Sequence, residues 1–589
     1  MPLNILILNK LNKGYSMDKK WLIPPGLNAE EVRAIQSLSA ELKVPELVAE
    51  LIYRRGLHNM QDIREFFNPD LTHLTDPFLF EDMEVAVKRI LKAVENEELI
   101  TIYGDYDVDG TTATALLYLG LKRIGAYIDF YIPHRMIDGY GLSLGSLDQL
   151  AENGSKLIIS VDCGVNALEE INAITNMGME IIITDHHNPK AELPTALAII
   201  NPKIPGCKFP FPHLAGVGVA YKLLMAVYHT LGIDNAENVL KYMDLVAVGT
   251  IADIVPLIGE NRIFASIGLQ HLIEMKNLGL NALIQLCGLN QRTLDTTDIV
   301  FGIAPRINAA GRMGSAALAV ELLISTDETH SMELAEMIER DNSLRQQEDQ
   351  KTFHEACEII EKKYKNMAQT PCMIVSSDDW HQGVIGIVAS KLVEKYYRPV
   401  IMISFKDGFG SGSGRSVADF DLFSALQHTE HNLHSFGGHK YAVGLTIYQE
   451  YLDRFENELS RFVADHLQLE QIQPPMVIDH EIELYDINEF LLDSIERFAP
   501  FGPENLRPTF MTRNVSVSNY PYNVGRNHLK LKVVKDGIPL DLIGYNLGDY
   551  LTLLKKNSII NIAYTLEYNR FGNKPSIQGK LKDLQILGA

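Results

Sequence analysis

Acidic and histidine side chains recur in the first half of this 589-residue chain at spacings able to hold cations. Asp105, Asp107 and Asp109 alternate in Gly104-Asp105-Tyr106-Asp107-Val108-Asp109-Gly110, right after the apolar run Leu99–Tyr103. Asp162 follows Leu157-Ile158-Ile159-Ser160-Val161, and Asp185-His186-His187 follows Ile181-Ile182-Ile183-Thr184. Asp253 lies in Gly249-Thr250-Ile251-Ala252-Asp253-Ile254-Val255-Pro256. Several carboxylates brought together repel strongly unless cations neutralise them. Hard carboxylate oxygens with one or two imidazoles suit Mn²⁺ first and Mg²⁺ second. Two such ions about 3.5–4 Å apart clamp the attacking and leaving oxygens of a phosphoryl transfer.

The elements around these residues explain how they could meet. Three of the four motifs follow short Ile/Val-rich runs, which read as buried parallel strands. In an open α/β sheet the carboxyl ends of such strands share one edge, and ligands bind there. Strands are expected at 99–104, 126–132, 156–161, 179–184 and 197–200, and helices at 110–124, 165–177, 215–232 and 237–252. An Asp after a strand also serves as a helix N-cap. Asp185 before His186, and Asp162 before a helix near Val165, fit that role as well as a ligand's when taken singly. Four such motifs in one α/β pattern favour a joint site.

The organisation expected is a helical lead-in over 1–80, a doubly wound parallel-sheet domain over 81–325, a connecting helix over 326–366, a smaller α/β domain over 367–468 and a β-barrel over 469–589. The Gly- and Pro-free stretch Ser315–Tyr364 carries the connecting helix. In the smaller domain, strands at 372–376 and 400–405 flank a helix at 384–396. Then comes Gly408-Phe409-Gly410-Ser411-Gly412-Ser413-Gly414-Arg415-Ser416. It reads either as a hairpin linker or as a backbone nest for an anion, with Ser413 and Arg415 gripping a phosphate. After Pro508, short alternating runs at 515–517, 528–534, 540–544, 558–568 and 576–586 suggest an OB-like barrel. Its tyrosines 520, 522, 545, 564 and 568 interleave with Arg513, Arg526, Lys530 and Lys532. Aromatic platforms with cations bind single strands without reading sequence; two or three of these rings at most are expected to stack, and the rest to pack the barrel.

The ordered motifs resemble the DHH phosphoesterase superfamily, named for the triplet matched by Asp185-His186-His187. The flanks Tyr131-Ile132-Pro133-His134-Arg135, Asp138-Gly139-Tyr140-Gly141-Leu142, Thr250-Ile251-Ala252-Asp253 and Arg306-Ile307-Asn308-Ala309-Ala310-Gly311-Arg312-Met313 are similar to its single-strand-specific 5′→3′ DNA exonuclease branch, over about 51–510. By that resemblance Asp107 and Asp162 hold one metal, and Asp109, Asp162, His186 and Asp253 the other, with Asp162 bridging. Asp105 and His187 then either bind a metal or orient a ligand, and the nucleophile is an activated water, which fits the lack of a Ser/His or Cys/His nucleophile pattern. The smaller domain resembles DHHA1 domains, whose Gly-Gly-His signature is matched by Gly437-Gly438-His439. Arg135, Arg312, Ser413 and Arg415 then take the 5′-terminal phosphate or nucleotide, with Gln346 a weaker candidate and Arg306 a competitor of Arg312. Phe501-Gly502-Pro503-Glu504-Asn505-Leu506 resembles a family Phe-Gly-x-Gly-Asn-Pro turn. It departs from it at Glu504 and Leu506.

The function implied is a processive exonuclease releasing 5′-mononucleotides from single-stranded DNA, acting in repair and recombination. Single-strand-binding protein and a repair helicase are the partners implied, and a monomer suffices. A phosphodiesterase for short oligonucleotides or cyclic dinucleotides is the alternative, and a non-catalytic DNA-end scaffold a third reading. A net charge of −22 opposes nucleic-acid binding at first sight. Residues 501–589, however, carry twelve Lys/Arg against six Asp/Glu, leaving −28 for the remainder. Part of that acidity is the metal site. Five scattered cysteines without a Cys-x-x-Cys imply a reducing cytoplasm and no zinc site. No apolar run is long enough to span a membrane. Residues 1–10 do not read as a signal peptide, and Met17 is a plausible alternative start after an upstream extension.

Overall fold

The computed structural model describes residues 19–134, 139, 141–274, 276–290, 292–417, 420–468, 473–569 and 574–587. Arg135 and the 1–16 extension lie outside the described residues. The chain forms two compact units. One is Arg55–Arg345 with Arg497–Leu506; the other joins the residues up to Arg54 with Gln346–Glu496 and Arg507–Ala589. The lead-in expected over 1–80 is thus divided at Arg54.

In the first unit, helix α1 (Met83–Glu95) precedes strand β1 (Ile100–Gly104), helix α2 (Val108–Arg123) and strand β2 (Ile128–Tyr131). Strand β3 (Leu157–Val161), helix α3 (Leu168–Asn176), strand β4 (Glu180–Thr184) and strand β5 (Ala198–Ile200) follow. The sheet is wholly parallel, in the order β2-β1-β3-β4-β5. Every residue of β1 and β3 is buried, as continuous apolar strands covered on both faces must be.

Helices α4 (Gly216–Thr230), α5 (Met243–Ala252) and α6 (Gly259–Ile273) complete the core with α2. Small residues let them approach. A Cβ at Gly120 would lie 2.5 Å from Leu224, and one at Gly249 would lie 2.3 Å from Thr112. The single helix expected over 237–252 is two, Ala236–Leu240 and α5. The carbonyl of Val239, at the break, accepts from the Tyr221 hydroxyl (2.7 Å). Helix α7 (Ala304–Met313) follows a π-helical turn at Ile299–Ile303, and the 36-residue helix α8 (Glu328–Lys363) lies within the expected connecting segment.

In the second unit, strand β6 (Met373–Ser377), helix α9 (Gln382–Tyr396), strand β7 (Val400–Lys406), strand β8 (Phe409–Arg415), strand β9 (Ser435–His439) and strand β10 (Ala442–Tyr448) build a sheet ordered β9-β10-β8-β7-β6. Only its β6–β7 pair is parallel. The glycine-rich segment is therefore neither a linker nor a nest. It is a central strand whose backbone is committed to ladders with β7 and β10. Its alternate glycines give way to large neighbours: Gly410 to Phe405, Gly412 to Leu445 and Gly414 to Val443, each within 2.8 Å of a would-be Cβ.

The expected barrel closes from strands β11 (Phe510–Val517), β12 (His528–Lys535), β13 (Ile538–Gly544), β14 (Ile559–Asn569) and β15 (Ser576–Ile586). The ring runs β11-β14-β15-β13-β12, and Ser516↔Val534 and Val517↔Val533 return β12 to β11. Tyr564 packs inside, while Tyr520, Tyr522 and Tyr545 are exposed.

One buried ion pair fixes α4 to α6. Lys222 Nζ lies 2.6 Å from Glu260 Oε2, the two side chains being 0% and 5% exposed, and it also donates to Thr75 O (2.8 Å). Removing one partner strands a buried charge, which costs about 3–5 kcal/mol. Lys222→Met is expected to lose stability on that scale in urea unfolding, and the Lys222→Met/Glu260→Met double variant to recover most of it.

Candidate metal centre

Between Gly104 at the end of β1 and Val108 at the start of α2, Asp105–Asp107 form a turn at the sheet's carboxyl edge. Asp107 caps α2 by accepting the Gly110 N–H (3.1 Å). Gly110 has no room for a side chain: a Cβ would sit 2.5 Å from Asp105 O and 2.7 Å from Asp105 N. Asp109, on the first turn of α2, accepts from the Gly216 and Val217 N–H groups (2.6 and 2.8 Å) at the start of α4. A helix N-terminus favours a carboxylate there.

Asp162 leaves β3 with φ +59°, a left-handed conformation that costs a non-glycine residue roughly 1–2 kcal/mol. Gly216 makes space for it, since a Cβ there would be 2.7 Å from Asp162 Cβ. Asp185, after β4, is not a helix cap. Its Oδ1 accepts from the His186 and His187 N–H groups (2.7 and 3.0 Å) and lies 2.8 Å from His187 Nδ1, while Oδ2 accepts from Val165 N (3.0 Å). Asp162 caps no helix either, since α3 starts at Leu168 without a side-chain cap. Asp253 is the C-cap residue of α5.

These residues converge. His186 Nε2 lies 3.1 Å from Asp162 Oδ1, 3.6 Å from Asp253 Oδ2 and 3.8 Å from Asp109 Oδ2. Donor atoms lie within 4.8 Å of one another in three groups: Asp105, Asp107 and Asp162; Asp109, His186 and Asp253; Asp162, His186 and His187. Asp162 belongs to two of them. All seven acids and histidines singled out from the sequence are thus brought together, and Asp105 stands as a donor beside Asp107.

Electrostatics mark the cluster as a cation cradle. Burial, then the facing carboxylates, pushes Asp162 well above the usual carboxylate range, Asp109 to about 7 and Asp253 to about 9. Burial lowers His186 to about 3, so its imidazole is neutral. Burial also disfavours charge on His187, but the hydrogen bond to Asp185 outweighs it and raises the pKa. Asp162 Oδ1 is buried and accepts no hydrogen bond. Hard oxygen donors, a neutral imidazole and a buried unsatisfied carboxylate oxygen fit Mn²⁺ or Mg²⁺.

The expected phosphate contacts divide between the units. Arg306 is tied down: its Nε is 2.5 Å from Glu339 Oε2, and it donates to Gly302 O (2.7 Å). Arg312 follows Gly311, where a Cβ would be 2.8 Å from Tyr106 O; the end of α7 that carries Arg312 therefore abuts the Asp105–Asp107 turn. In the second unit, Arg415 donates to Ser413 Oγ (3.1 Å). Both side chains lie against Gly386 on α9, where a Cβ would be 3.0 Å from Ser413 Oγ and 3.2 Å from the Arg415 guanidinium. Gln346 is exposed on α8, and Gly437, Gly438 and His439 are exposed on β9. Sequence reasoning missed Gly110, Gly216, the clamp by Asp185, and Lys203. Lys203 is partly buried, which lowers its pKa, and its charge faces Asp253 and Asp185. The signal available for it was Asn201-Pro202-Lys203 directly after β5.

Comparison with known proteins gives three family matches: the DHH family N-terminal domain over 99–250, the DHHA1 domain over 369–465 and the RecJ OB domain over 478–583. The single-stranded-DNA-specific exonuclease RecJ of Bacillus subtilis is 36% identical over 94% of this chain and 69% of its own length. That of Haemophilus influenzae is 34% identical over 90% of this chain and 94% of its own. The crystal structure of RecJ in complex with Mn²⁺ from Thermus thermophilus superposes with a TM-score of 0.82, at 26% identity, covering 97% of this chain and 80% of that one.

Two outcomes follow from the geometry. Gly110→Ala is expected to weaken Mn²⁺ binding at least about tenfold by displacing Asp105, measured by Mn²⁺ titration followed by electron paramagnetic resonance. In chelator, the raised pKa values of Asp109 and Asp253 make their contribution to stability full below about pH 4 and lost as pH rises through about 7 and about 9. The metal-free melting temperature should therefore fall over that window, and saturating Mn²⁺ at pH 8 should restore it. A flat metal-free profile that also persists in Asp109→Asn would contradict the assignment.

Proposed function

The chain belongs to the RecJ family, and we propose that it is a metal-dependent exonuclease that hydrolyses single-stranded DNA from the 5′ end to 5′-mononucleotides. The observation that carries this reading is the set of acid and histidine donors, gathered at one sheet edge around the buried Asp162. When bound, divalent cations supply Lewis acidity that acidifies water and polarises a phosphodiester.

The chain's own residues do the rest. Asp107 and Asp162, with Asp105 beside them, would hold one Mn²⁺ or Mg²⁺; Asp109, His186 and Asp253, sharing Asp162, would hold the other. The α4 N–H groups fix both oxygens of Asp109. Asp185 takes the hydrogen bond of His187 Nδ1 and favours the imidazolium, a charge suited to a phosphate oxygen. Arg312 in the first unit is suited to a phosphate oxygen through charge-assisted hydrogen bonds, and so, in the second unit, are Ser413 and Arg415, with Gln346, Gly437, Gly438 and His439 as further candidates there. Arg306 is assigned to holding α7 through Glu339 instead. On the barrel, exposed Tyr545, with Lys580 Nζ 5.0 Å from its ring centroid, suits a base of the entering strand. DNA repair and recombination is the setting that fits such an activity, with single-strand-binding protein and a helicase supplying the substrate to a cytoplasmic monomer. Among the described residues no helix is long and apolar enough to cross a membrane.

The test is digestion of a long single strand labelled at either end, with Mn²⁺, Mg²⁺ or chelator. The expected result is immediate release of the 5′-labelled mononucleotide, retention of the 3′ label in a shrinking strand, and no reaction in chelator. Cleavage confined to dinucleotides would favour a small-substrate phosphodiesterase. Arg312→Ala is expected to raise KM for 5′-phosphorylated strands about tenfold or more, whereas Arg306→Ala should leave KM near the parent value and lower the melting temperature.

A further inference from the structure

The turn Arg497–Leu506 lies far along the chain from the metal motifs, yet it is compact with the unit that contains them. Buried Asn505 organises it. Its Nδ2 donates to Phe498 O (2.8 Å) and Pro500 O (2.9 Å), and its backbone exchanges hydrogen bonds with Gly502 (3.0 and 3.1 Å). From α6, buried Arg262 donates to the carbonyls of Phe498, Ala499 and Pro500 (2.9, 2.8 and 3.3 Å). It also donates to Phe66 O (2.7 Å), with its guanidinium 3.8 Å from the Phe66 ring centroid. Arg55 adds a bond to Leu506 O (2.9 Å). The turn is held as a block, because each of these backbone carbonyls accepts at least one hydrogen bond.

That block meets the loop joining α5 to α6, whose first residue is Asp253. Leu257 N donates to Pro503 O (2.9 Å). The Leu257 side chain lies on Gly502, where a Cβ would come within 2.5 Å of its Cδ1. Asn261 Nδ2 holds Pro256 O (3.0 Å). Between these pins and Asp253 stands Ile254, with φ +59° and 60% exposure. A β-branched residue in the left-handed region costs roughly 1–2 kcal/mol. Such strain persists only where the surroundings over-determine the backbone, and it gathers at functional sites. The exposed side chain offers little packing in return, so the constraint comes from the pinned residues that follow.

We infer that the Phe498–Asn505 turn is a positioning element for the metal centre: by pinning Leu257 it holds Ile254 in its strained conformation and so aims the Asp253 carboxylate at its cation. The inference rests on reading Asp253 as a metal ligand. Released from the pins, Ile254 returns to negative φ, the chain after Asp253 swings, and the carboxylate leaves the group it forms with Asp109 and His186.

The test uses the full chain with Asn505→Ala, which frees the turn, and Gly502→Ala, which only pushes Leu257 away and serves if the first fails to fold. Mn²⁺ binding is followed by electron paramagnetic resonance of the free ion, folding by circular dichroism and melting, and kcat and KM on a single strand. The expected result is a native-like spectrum with one Mn²⁺ bound about tenfold or more weakly and kcat reduced more than KM is raised. Adding Ile254→Gly, which adopts positive φ without strain, is expected to restore Mn²⁺ affinity in Gly502→Ala. Variants that melt earlier but bind Mn²⁺ like the parent, or that are not rescued by Ile254→Gly, would overturn the positioning role. Asp253→Asn separates the two levels. Unchanged Mn²⁺ binding there sinks the ligand assignment itself, whereas weakened binding there with intact turn variants sinks only the positioning.

Discussion

Like charge held out of water is the constraint on which the catalytic unit is built. Asp105, Asp109 and Asp162 are each no more than 2% exposed and face one another across a few ångströms. A carboxylate at such a position is expensive without a compensating cation. Much of the surrounding architecture reads as provision for that expense. A parallel sheet delivers the acids to one edge, α4 offers its N-terminal N–H groups to Asp109, and Gly110 and Gly216 remove the side chains that would hold the acids apart. Asp185 satisfies the backbone N–H groups of the His186-His187 pair and also holds the His187 ring at Nδ1. The core behind, from α1 to α8, supplies the stability that such a cluster consumes.

The second unit solves a different problem, the presentation of a cation and a hydroxyl on a flat strand. On β8 the glycines face the packed side and yield to Phe405, Leu445 and Val443, while Ser413 and Arg415 occupy the other face beside the first turns of α9. Alternation along a strand, rather than a loop of free N–H groups, is what sets the two groups side by side.

Strand positions in the catalytic sheet were legible because a strand covered on both faces is dominated by apolar residues, as the Ile-, Leu- and Val-rich β1, β3 and β4 are. The cluster of acids and histidines was legible because such residues at successive strand ends of a parallel sheet come together at one edge, and the family resemblance agreed. What stayed hidden depends on tertiary approach. Gly410-Ser411-Gly412-Ser413-Gly414 has poor strand propensity and becomes a strand only because its neighbours fill the glycine side. Arg306 and Arg312 look alike until Glu339 is seen to occupy the first. The break before α5 and the clamp by Asp185 also rest on partners distant in sequence. In the turn, Glu504 takes φ +59°, which accounts physically for the glycine that the family pattern places there.

Because the catalytic unit includes Arg497–Leu506, its assembly has an order in time. A ribosome releases the metal-binding motifs early, and domains begin to fold as they emerge. The segment that completes the unit is made only after the whole α/β module from β6 to β10. The nascent chain therefore carries its acids long before it carries the block against which Leu257 packs. The strand Lys20–Leu22 waits as well, for its partner Pro475–Val477. Synthesis itself thus delays the finished unit until the chain has been made through Leu506.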